Sequence, residues 1–473
     1  MHKRKFVYSG WEYALDAFQK LAIKKKYSIR FRLEFFHLLS EKTSIKQLLL
    51  IFFQNLGANF KCLFILAKYQ LIGRFQTSNP DTIVIMVAKN NVYLQTLKPV
   101  IQNFANKKAD ILVLCPDKHF HFIKEYLGKE VDPYLYKIES IIYEPRVLVR
   151  FLRLLGAFLV SASDTIWFMV QPVKKSLWFA TTFGRYGLTQ YYFSKSLEKY
   201  FSSGAKLISA NDHWMWESLY FTSARKSNAP CYVFQHGVIG DITYPIFANQ
   251  FLTWGKFDFE KMQSEFGAKP DEVRILGSPH FDAVYQKINA VKTSDSQFSK
   301  PYITFLSQPF FNSNFLEPGY YQKILDRFCL LAPIAKKFGK KLVIKLHPAD
   351  KNEYYSQFQS DAIITRDGLL EVLDDTCLAF TIDSTAIFEA VMYAIPVTQC
   401  WIKDMSRQID FSSSGLCVSD TSDDGILLMT NELLGSASLY YTRVNKGNSA
   451  LDNYFFKIGG TLSRIEKLLG IGL

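Results

Sequence analysis

The sequence predicts an α/β protein made of two units, each a parallel sheet covered by helices. Short apolar runs rich in Val, Ile, Leu and Phe alternate with helical patterns along most of the 473 residues. Hydrophobic residues make up 48% of the chain and aromatic residues 16%, which is enough to fill large buried cores. A polar segment, residues 292–297, separates two series of alternating strands and helices and predicts the link between the two units.

The first series opens with a strand–helix–strand unit, with strands predicted at residues 82–87 and 109–114 and a helix that starts at Asn90 or Asn91 and runs to about Asn106. Such a unit implies a parallel sheet with its ligand crevice at the carboxyl ends of the strands. The same alternation predicts four further strands and two helices. The strands are residues 206–209, 231–234, 251–253 and 273–276, and the helices are residues 214–225 and 256–266.

The second series predicts another unit of the same kind. Its strands are predicted at residues 302–306, 342–344, 377–380, 395–398 and 415–418. A helical pattern follows residue 382 and ends near Tyr393, and a final helix is predicted at residues 461–469, placed to pack back across the first unit. We therefore divide the chain into a basic, apolar helical extension (1–75), an N-terminal Rossmann-like domain (76–295) and a C-terminal Rossmann-like domain (296–473).

Two motifs of the second series predict a phosphate site. His347 and Pro348 follow one buried strand, and Ser384 and Thr385 lie between another strand and the start of a helix. The first N–H groups of a helix lack internal partners and carry positive potential, so they attract anions. The two hydroxyls and the imidazole add donors, which favours the phosphates of a nucleotide-activated donor over a purely structural role.

Polar residues also follow two strands of the first series, which places them in the predicted crevice. Asp212 is a candidate general base, although it could simply cap the following helix. His213 and His236 are candidates for a general base or for binding phosphate. Three more residues at strand ends are candidate cleft residues: Gln235, Gly237 and Ser278.

The positive charge is concentrated at the start of the chain. Residues 1–75 hold 14 Lys and Arg against four Asp and Glu, whereas the whole chain has a net charge of +13. The same residues are rich in large apolar side chains, a combination that favours docking on an anionic membrane surface over binding to nucleic acid. A helical extension packed on the main body with a solvated basic face is the alternative. The opening residues show no apolar signal-peptide pattern, which predicts a cytoplasmic protein.

With these motifs in order, the chain resembles the GT-B superfamily of sugar-nucleotide enzymes. The resemblance lies in residues 209–212, 233–237 and 276–279 of the first series and 306–309, 345–348 and 383–385 of the second. That superfamily includes UDP-N-acetylglucosamine 2-epimerase-like proteins, CDP-glycerol glycerophosphotransferases and bacterial CMP-sugar transferases of capsule and lipopolysaccharide synthesis. The resemblance implies two Rossmann-like domains with a cleft between them. It covers about residues 80–470, so the basic extension lies outside it.

The resemblance also implies roles for particular residues. Ser307 and Gln308 fall in the donor loop, and Glu389 falls where the superfamily holds a donor ribose. Epimerases usually carry Glu-Ala-Gly at 235–237 and Ser-Gly-Gly at 383–385, and this chain has neither. These departures favour a glycosyltransferase, with Asp212 as the base by analogy and His236 as the rival.

The expected function is transfer of a sugar from a nucleotide donor, with a CMP-sugar favoured, to a cell-surface glycan or glycolipid. On this hypothesis the nucleotide-sugar is a co-substrate, and neither a metal nor a cofactor is required, because the helix terminus and histidine neutralise the phosphate. The protein would work at the inner face of the bacterial cytoplasmic membrane, through residues 1–75. Three alternatives remain: an epimerase, a polyol-phosphate transferase and a non-catalytic polysaccharide-assembly protein.

Overall fold

A computed structural model describes residues 80–88, 91–138, 197–212, 215–239, 246–291, 297–308, 318–401, 409–420 and 422–471, together with 155, 156 and 159. The first unit contains, in chain order, β1 (Ile83–Met86), α1 (Asn91–Asn106), β2 (Ile111–Cys115), α2 (Phe120–Leu127), β3 (Leu135–Lys137), β4 (Lys206–Ser209), α3 (Met215–Lys226), β5 (Cys231–Phe234), β6 (Gln250–Thr253), α4 (Lys256–Ser264), β7 (Val273–Ile275) and α5 (Pro279–Val291).

The second unit follows the same alternation and ends in three helices. It contains β8 (Tyr302–Leu306), α6 (Pro318–Cys329), α7 (Ala332–Lys337), β9 (Lys341–Lys345), β10 (Ala362–Thr365), α8 (Leu369–Asp374), β11 (Thr376–Thr381), α9 (Ala386–Met392), β12 (Val397–Cys400), β13 (Val418–Asp420), α10 (Asp423–Gly435), α11 (Ala437–Tyr454) and α12 (Thr461–Leu469).

Each unit is built on one sheet whose neighbouring strands all pair in parallel. The first sheet has the order β3-β2-β1-β4-β5-β6-β7, and the second has the order β10-β9-β8-β11-β12-β13. Strands β1, β2 and β11 are buried along their whole length, as expected for sheets with helices on both faces. The strand order reverses between β1 and β4 and between β8 and β11, and ligands bind at such switch points in open α/β sheets.

An aromatic cluster joins the two units; we call it the aromatic junction, and it consists of Trp254, Phe281, Phe388 and Phe455. Trp254 follows β6 and Phe281 lies on α5, whereas Phe388 lies on α9 of the second unit. The ring centroids of Phe281 and Phe388 are 5.6 Å apart, and those of Trp254 and Phe388 are 6.0 Å apart. All four side chains are buried, so the junction excludes water between the units.

The last helix, α12, crosses back to the first unit, as the sequence predicts. Asp282 on α5 accepts hydrogen bonds from the N–H groups of Gly459 (2.8 Å) and Thr461 (2.7 Å), which fixes the start of α12. A side chain at Gly277 would not fit here, because a Cβ atom would lie 2.4 Å from the Thr461 hydroxyl and the residue has φ +102°. The apolar face of α12 enters the core of the first unit through Ile465 and Leu469.

The predicted fold class, two Rossmann-like α/β units, is confirmed, and most strand positions agree within two residues. The prediction for the last strand was wrong by three residues, because Gly415 has a left-handed φ of +82° and lies in a turn before β13. The edge strands β3 and β10 were missed. Both the extension, residues 1–75, and most of the predicted linker lie outside the described residues, and the three domain limits stay predictions. No helix in the described part of the chain is long and apolar enough to cross a membrane.

Candidate active site

Three loops of the second unit meet at the switch point of its sheet. Ser307 and Gln308 follow β8, His347 and Pro348 lie in the loop after β9, and the segment 382–385 connects β11 to α9. Because β9, β8 and β11 are neighbours in one parallel sheet, their carboxyl ends lie along one edge. The structure thus brings together the residues that the sequence assigned to the donor phosphate.

The side chain of His347 is held as a hydrogen-bond donor. Its Nδ1 accepts a hydrogen bond from the Ala349 N–H (3.1 Å), so in the neutral ring the proton sits on Nε2. Burial lowers the pKa of His347 below its ordinary value of 6.5, and the charge of Asp350 opposes this only in part. At neutral pH the half-buried imidazole therefore offers an N–H group rather than a positive charge.

The loop after β11 is held in place by two glutamines. The Asp383 N–H donates to Gln308 Oε1 (2.7 Å), which ties this loop to the one after β8. On the other side, Gln399 Nε2 donates to the Ile382 carbonyl (2.8 Å). Gln308 therefore acts in the structure as a connector between two site loops.

Two hydroxyls lie at the start of α9. The Ser384 Oγ accepts a hydrogen bond from the Ala386 N–H (3.2 Å), so its own proton can point elsewhere. Thr385 is the N-cap residue of α9, and its side chain makes no capping hydrogen bond. Both side chains are half-buried, within reach of a ligand at this edge of the sheet.

Glu389 lies three residues into α9, at the boundary with the first unit. The residue is 8% exposed, and its Oε1 is 3.8 Å from Nε2 of His280 on α5. His280 and Glu389 are the chain neighbours of Phe281 and Phe388 in the aromatic junction. Since α5 and α9 both start at carboxyl ends of strands, this contact shows that the two carboxyl edges face one cleft.

The candidate base Asp212 lies at the switch point of the first sheet, three residues after the end of β4. It is fully buried, and one carboxylate oxygen accepts a hydrogen bond from the Phe247 N–H. Nearby, Glu217 on α3 is also buried, and this burial, together with the charge of Asp212, raises the pKa of Glu217 to about 7. Sequence reasoning missed Glu217, because nothing in its helical context marks it as buried.

The second candidate base, His236, is half-buried and more accessible than Asp212. Its ring packs edge-on against that of Tyr93 on α1, with centroids 4.4 Å apart. Tyr93 follows β1, so this contact spans the switch point of the first sheet. His236 thus lies at the carboxyl edge of the first sheet, and the contact with Tyr93 holds its ring.

The residue before His236 has structural partners, whereas the residue after it is not confined by packing. Gln235 is buried; its Nε2 donates to Asp258 (2.7 Å) and its Oε1 accepts from the Trp254 N–H (2.8 Å). Burial raises the pKa of Asp258 to about 6. A Cβ atom at Gly237 would meet nothing within 4 Å, so packing does not require glycine there.

Two candidate residues remain. The Ser278 Oγ is buried and accepts a hydrogen bond from the Phe281 N–H (3.3 Å), which caps α5. His213 lies outside the described residues. Within the described ranges, no group of three or more His, Cys, Asp or Glu side chains could hold a metal ion.

Comparison with known proteins identifies the fold. No protein-family model and no curated protein sequence matches the chain. Its structure is similar to UDP-GlcNAc 2-epimerase from Neisseria meningitidis bound to UDP-GlcNAc, with a TM-score of 0.51, 12% identity and coverage of 82% of this chain and 100% of that chain. It is also similar to Anabaena HepE in complex with UDP, with a TM-score of 0.50, 9% identity and coverage of 82% and 99%. The chain has a GT-B-like fold.

In this GT-B-like arrangement, the residues predicted to bind phosphate lie on the second unit and both candidate bases lie on the first. Asp212 and His236 follow β4 and β5, whereas His347, Ser384 and Thr385 follow β9 and β11. A substrate in the cleft would contact both units at once. The assignment of individual site residues stays a prediction.

The buried Glu217 generates a prediction about stability and pH. Its folded-state pKa of about 7 lies above the ordinary 4.5, so the native protein keeps a proton that the unfolded chain releases between these values. The ionised carboxylate therefore destabilises the fold as pH rises through this window. We expect the stability of Glu217→Gln, relative to wild type, to grow by about 2 kcal/mol between pH 5 and pH 8.

Urea unfolding at a series of pH values measures this difference. Exposed Glu265 on the same unit, changed to Gln, provides the baseline for removing a carboxylate. If the difference in stability between Glu217→Gln and wild type stayed constant with pH, Glu217 could not be a buried carboxyl with a raised pKa beside Asp212.

Proposed function

We propose that this chain is an enzyme acting on nucleotide sugars, and specifically a glycosyltransferase. The observation that carries the proposal is the meeting of three loops at the switch point of the second sheet, with His347, Ser384 and Thr385 on them. These side chains present an N–H and two hydroxyls beside the start of a helix. Such a set of donors suits the oxygens of a nucleotide phosphate.

The reaction proposed is direct displacement in the cleft. An acceptor hydroxyl oxygen attacks the anomeric carbon of the donor while the bond from that carbon to the nucleotide phosphate oxygen breaks. The acceptor's proton passes to a base of the first unit, and the nucleotide leaves with the electron pair of the broken bond. The Nε2–H of His347 and the hydroxyls of Ser384 and Thr385 stabilise the negative charge that develops on the phosphate.

For the base we favour His236 over Asp212. A general base must come within hydrogen-bond distance of the proton that it removes. Asp212 is fully buried and accepts the Phe247 N–H, whereas His236 is half-buried, with its ring packed edge-on against Tyr93. On this proposal Asp212 holds the chain around Phe247 in place, and His236 reaches the substrate.

The acceptor is proposed to be a glycan or glycolipid at the bacterial membrane surface, and the donor a CMP-sugar. The basic and apolar composition of residues 1–75 supports an acceptor at the membrane surface. The resemblance of the sequence motifs supports a donor that carries cytidine. A UDP-sugar epimerase is the second candidate, because similar structures include a UDP-GlcNAc 2-epimerase bound to UDP-GlcNAc. An epimerase would need no acceptor.

The phosphate clamp predicts a large effect of His347→Ala on turnover. Loss of a preorganised donor to a developing oxyanion lowers kcat by about 10²- to 10³-fold. The steady-state rate of nucleotide release measures this effect, and unfolding midpoints check that the variant is folded. His121 on α2 is exposed and belongs to the other unit, so His121→Ala is the matched control. Unchanged turnover in His347→Ala would remove this residue from the site.

The two candidate functions predict different products from the donor alone. A transferase leaves the configuration of the sugar nucleotide unchanged until an acceptor is added, whereas an epimerase converts it without one. A thermal-unfolding panel with CMP, CDP, UDP and GDP selects the donor, since a ligand at 100 times its Kd stabilises the fold by about 2.7 kcal/mol. We expect CMP to give the largest shift and no epimer to form. Rapid epimer formation from a UDP-sugar would contradict the transferase.

The membrane proposal predicts that the basic extension governs vesicle binding. Changing Lys24, Lys25 and Lys26 to Gln in the full chain should weaken binding to phosphatidylglycerol vesicles about tenfold or more, because each cation near an anionic surface contributes about 1 kcal/mol. Lys287, Lys323 and Lys351 are exposed on the two units, and their triple change to Gln is the control. Equal loss in both variants would indicate non-specific attraction, and undiminished binding in the first would refute the role of the extension.

A further inference from the structure

A buried carboxylate, Asp350, lies beneath the loop that carries His347. It is 4% exposed, and its Oδ2 accepts hydrogen bonds from the Ser307 hydroxyl (2.6 Å) and the Tyr355 hydroxyl (2.8 Å). Its N–H donates to the His347 carbonyl (2.9 Å), which closes the turn between these two residues. Asp350 belongs to none of the motifs assigned to substrate.

The hydrogen bonds of Asp350 fix the direction of its neighbours. The Ser307 hydroxyl donates a hydrogen bond to the carboxylate, so its Oγ is free to accept a second one. It accepts this hydrogen bond from the His347 N–H at 2.7 Å. The backbone of His347 is therefore held by Ser307, and Ser307 is held by Asp350. Together with the Ala349 N–H on Nδ1, this sets where His347 Nε2 points.

The same network reaches the other site loops through two tyrosines. The hydroxyls of Tyr355 and Tyr321 are 2.9 Å apart, and the Tyr321 hydroxyl also accepts the Gln308 N–H (3.3 Å). Gln308 then accepts the Asp383 N–H. Burial raises the pKa of Tyr321 and of Tyr355, so both phenols stay protonated. One buried series of hydrogen bonds thus connects the loops after β8, β9 and β11.

We propose that Asp350 is the positioning residue of the donor site. It acts through Ser307 and His347, does not touch the nucleotide, and holds all three loops in the geometry that binds phosphate. Its burial makes this effective, since hydrogen bonds to a charged group are about twice as strong as neutral ones and weaken little with salt. This proposal rests on the proposed function, because it assigns a role relative to bound nucleotide.

The test is a double-mutant cycle on nucleotide affinity, with CMP and UDP as probes and calorimetry as the measurement. Asp350→Asn and Ser307→Ala should each weaken binding about tenfold or more, the effect of losing a hydrogen bond to a charged group. If Asp350 acts through Ser307, the double variant should lose no more than the larger single loss. Asp361 is an exposed carboxylate of the same unit, and Asp361→Asn is the matched control.

Tyr355→Phe is a second and more conservative substitution, because it removes one hydrogen-bond donor to Asp350 and keeps the buried ring. It should retain the unfolding midpoint of wild type within a few degrees and still weaken nucleotide binding, whereas a purely structural role would shift the midpoint alone. Multiplicative losses in the cycle, or wild-type affinity in both Asp350→Asn and Tyr355→Phe, would overturn the proposal. Failure of the wild-type protein itself to bind either nucleotide would instead contradict the proposed function.

Discussion

The whole arrangement depends on the direction of the strands. Neighbouring strands are parallel in both sheets, so the carboxyl ends of all strands in a sheet lie along one edge. Where the order reverses, between β1 and β4 and between β8 and β11, the connections leave in opposite directions and open a crevice. Loops after β4, β5, β9 and β11, at these two places or on the next strand, carry the described residues proposed to contact phosphate or to act as base. The chemistry of the site follows from this topology, since no single loop holds enough donors.

Buried contacts then turn the two crevices into one cleft. The aromatic junction packs α5 against α9, and His280 contacts Glu389 beside it. The helix α12 crosses back to the first unit, where the carboxylate of Asp282 accepts a hydrogen bond from its first N–H. Within the second unit, Asp350 and the buried tyrosines hold the site loops from behind. Apolar packing thus sets the relation between the units, and buried polar groups set the local geometry, as expected where unpaired polar atoms are costly.

Much of the fold could be predicted from the sequence, because strands buried on both faces leave continuous apolar runs. The strand, turn and helix order around Ser384 and Thr385 could be predicted too, since an apolar run, a polar turn and a helical pattern follow one another within residues 377–393. The supporting residues could not. Asp350 and Ser307 are 43 residues apart, and Asp282 and Thr461 are 179 apart, so only folding reveals their contacts. Glu217 looks like an ordinary helix residue until its burial is known, and Gly415 moves the last strand because its left-handed φ does not show in an apolar run.

A structure of the protein with bound CMP would show directly whether the loops after β9 and β11 bind the donor phosphate, and UDP is the comparison ligand. We expect a phosphate oxygen within about 3.2 Å of His347 Nε2 and of the Ser384 or Thr385 hydroxyl, the distance range of ordinary hydrogen bonds. We also expect the nucleoside to lie in the cleft between α5 and α9. A nucleotide bound elsewhere, or bound in the cleft with its phosphate away from His347 and the start of α9, would contradict the proposed donor site.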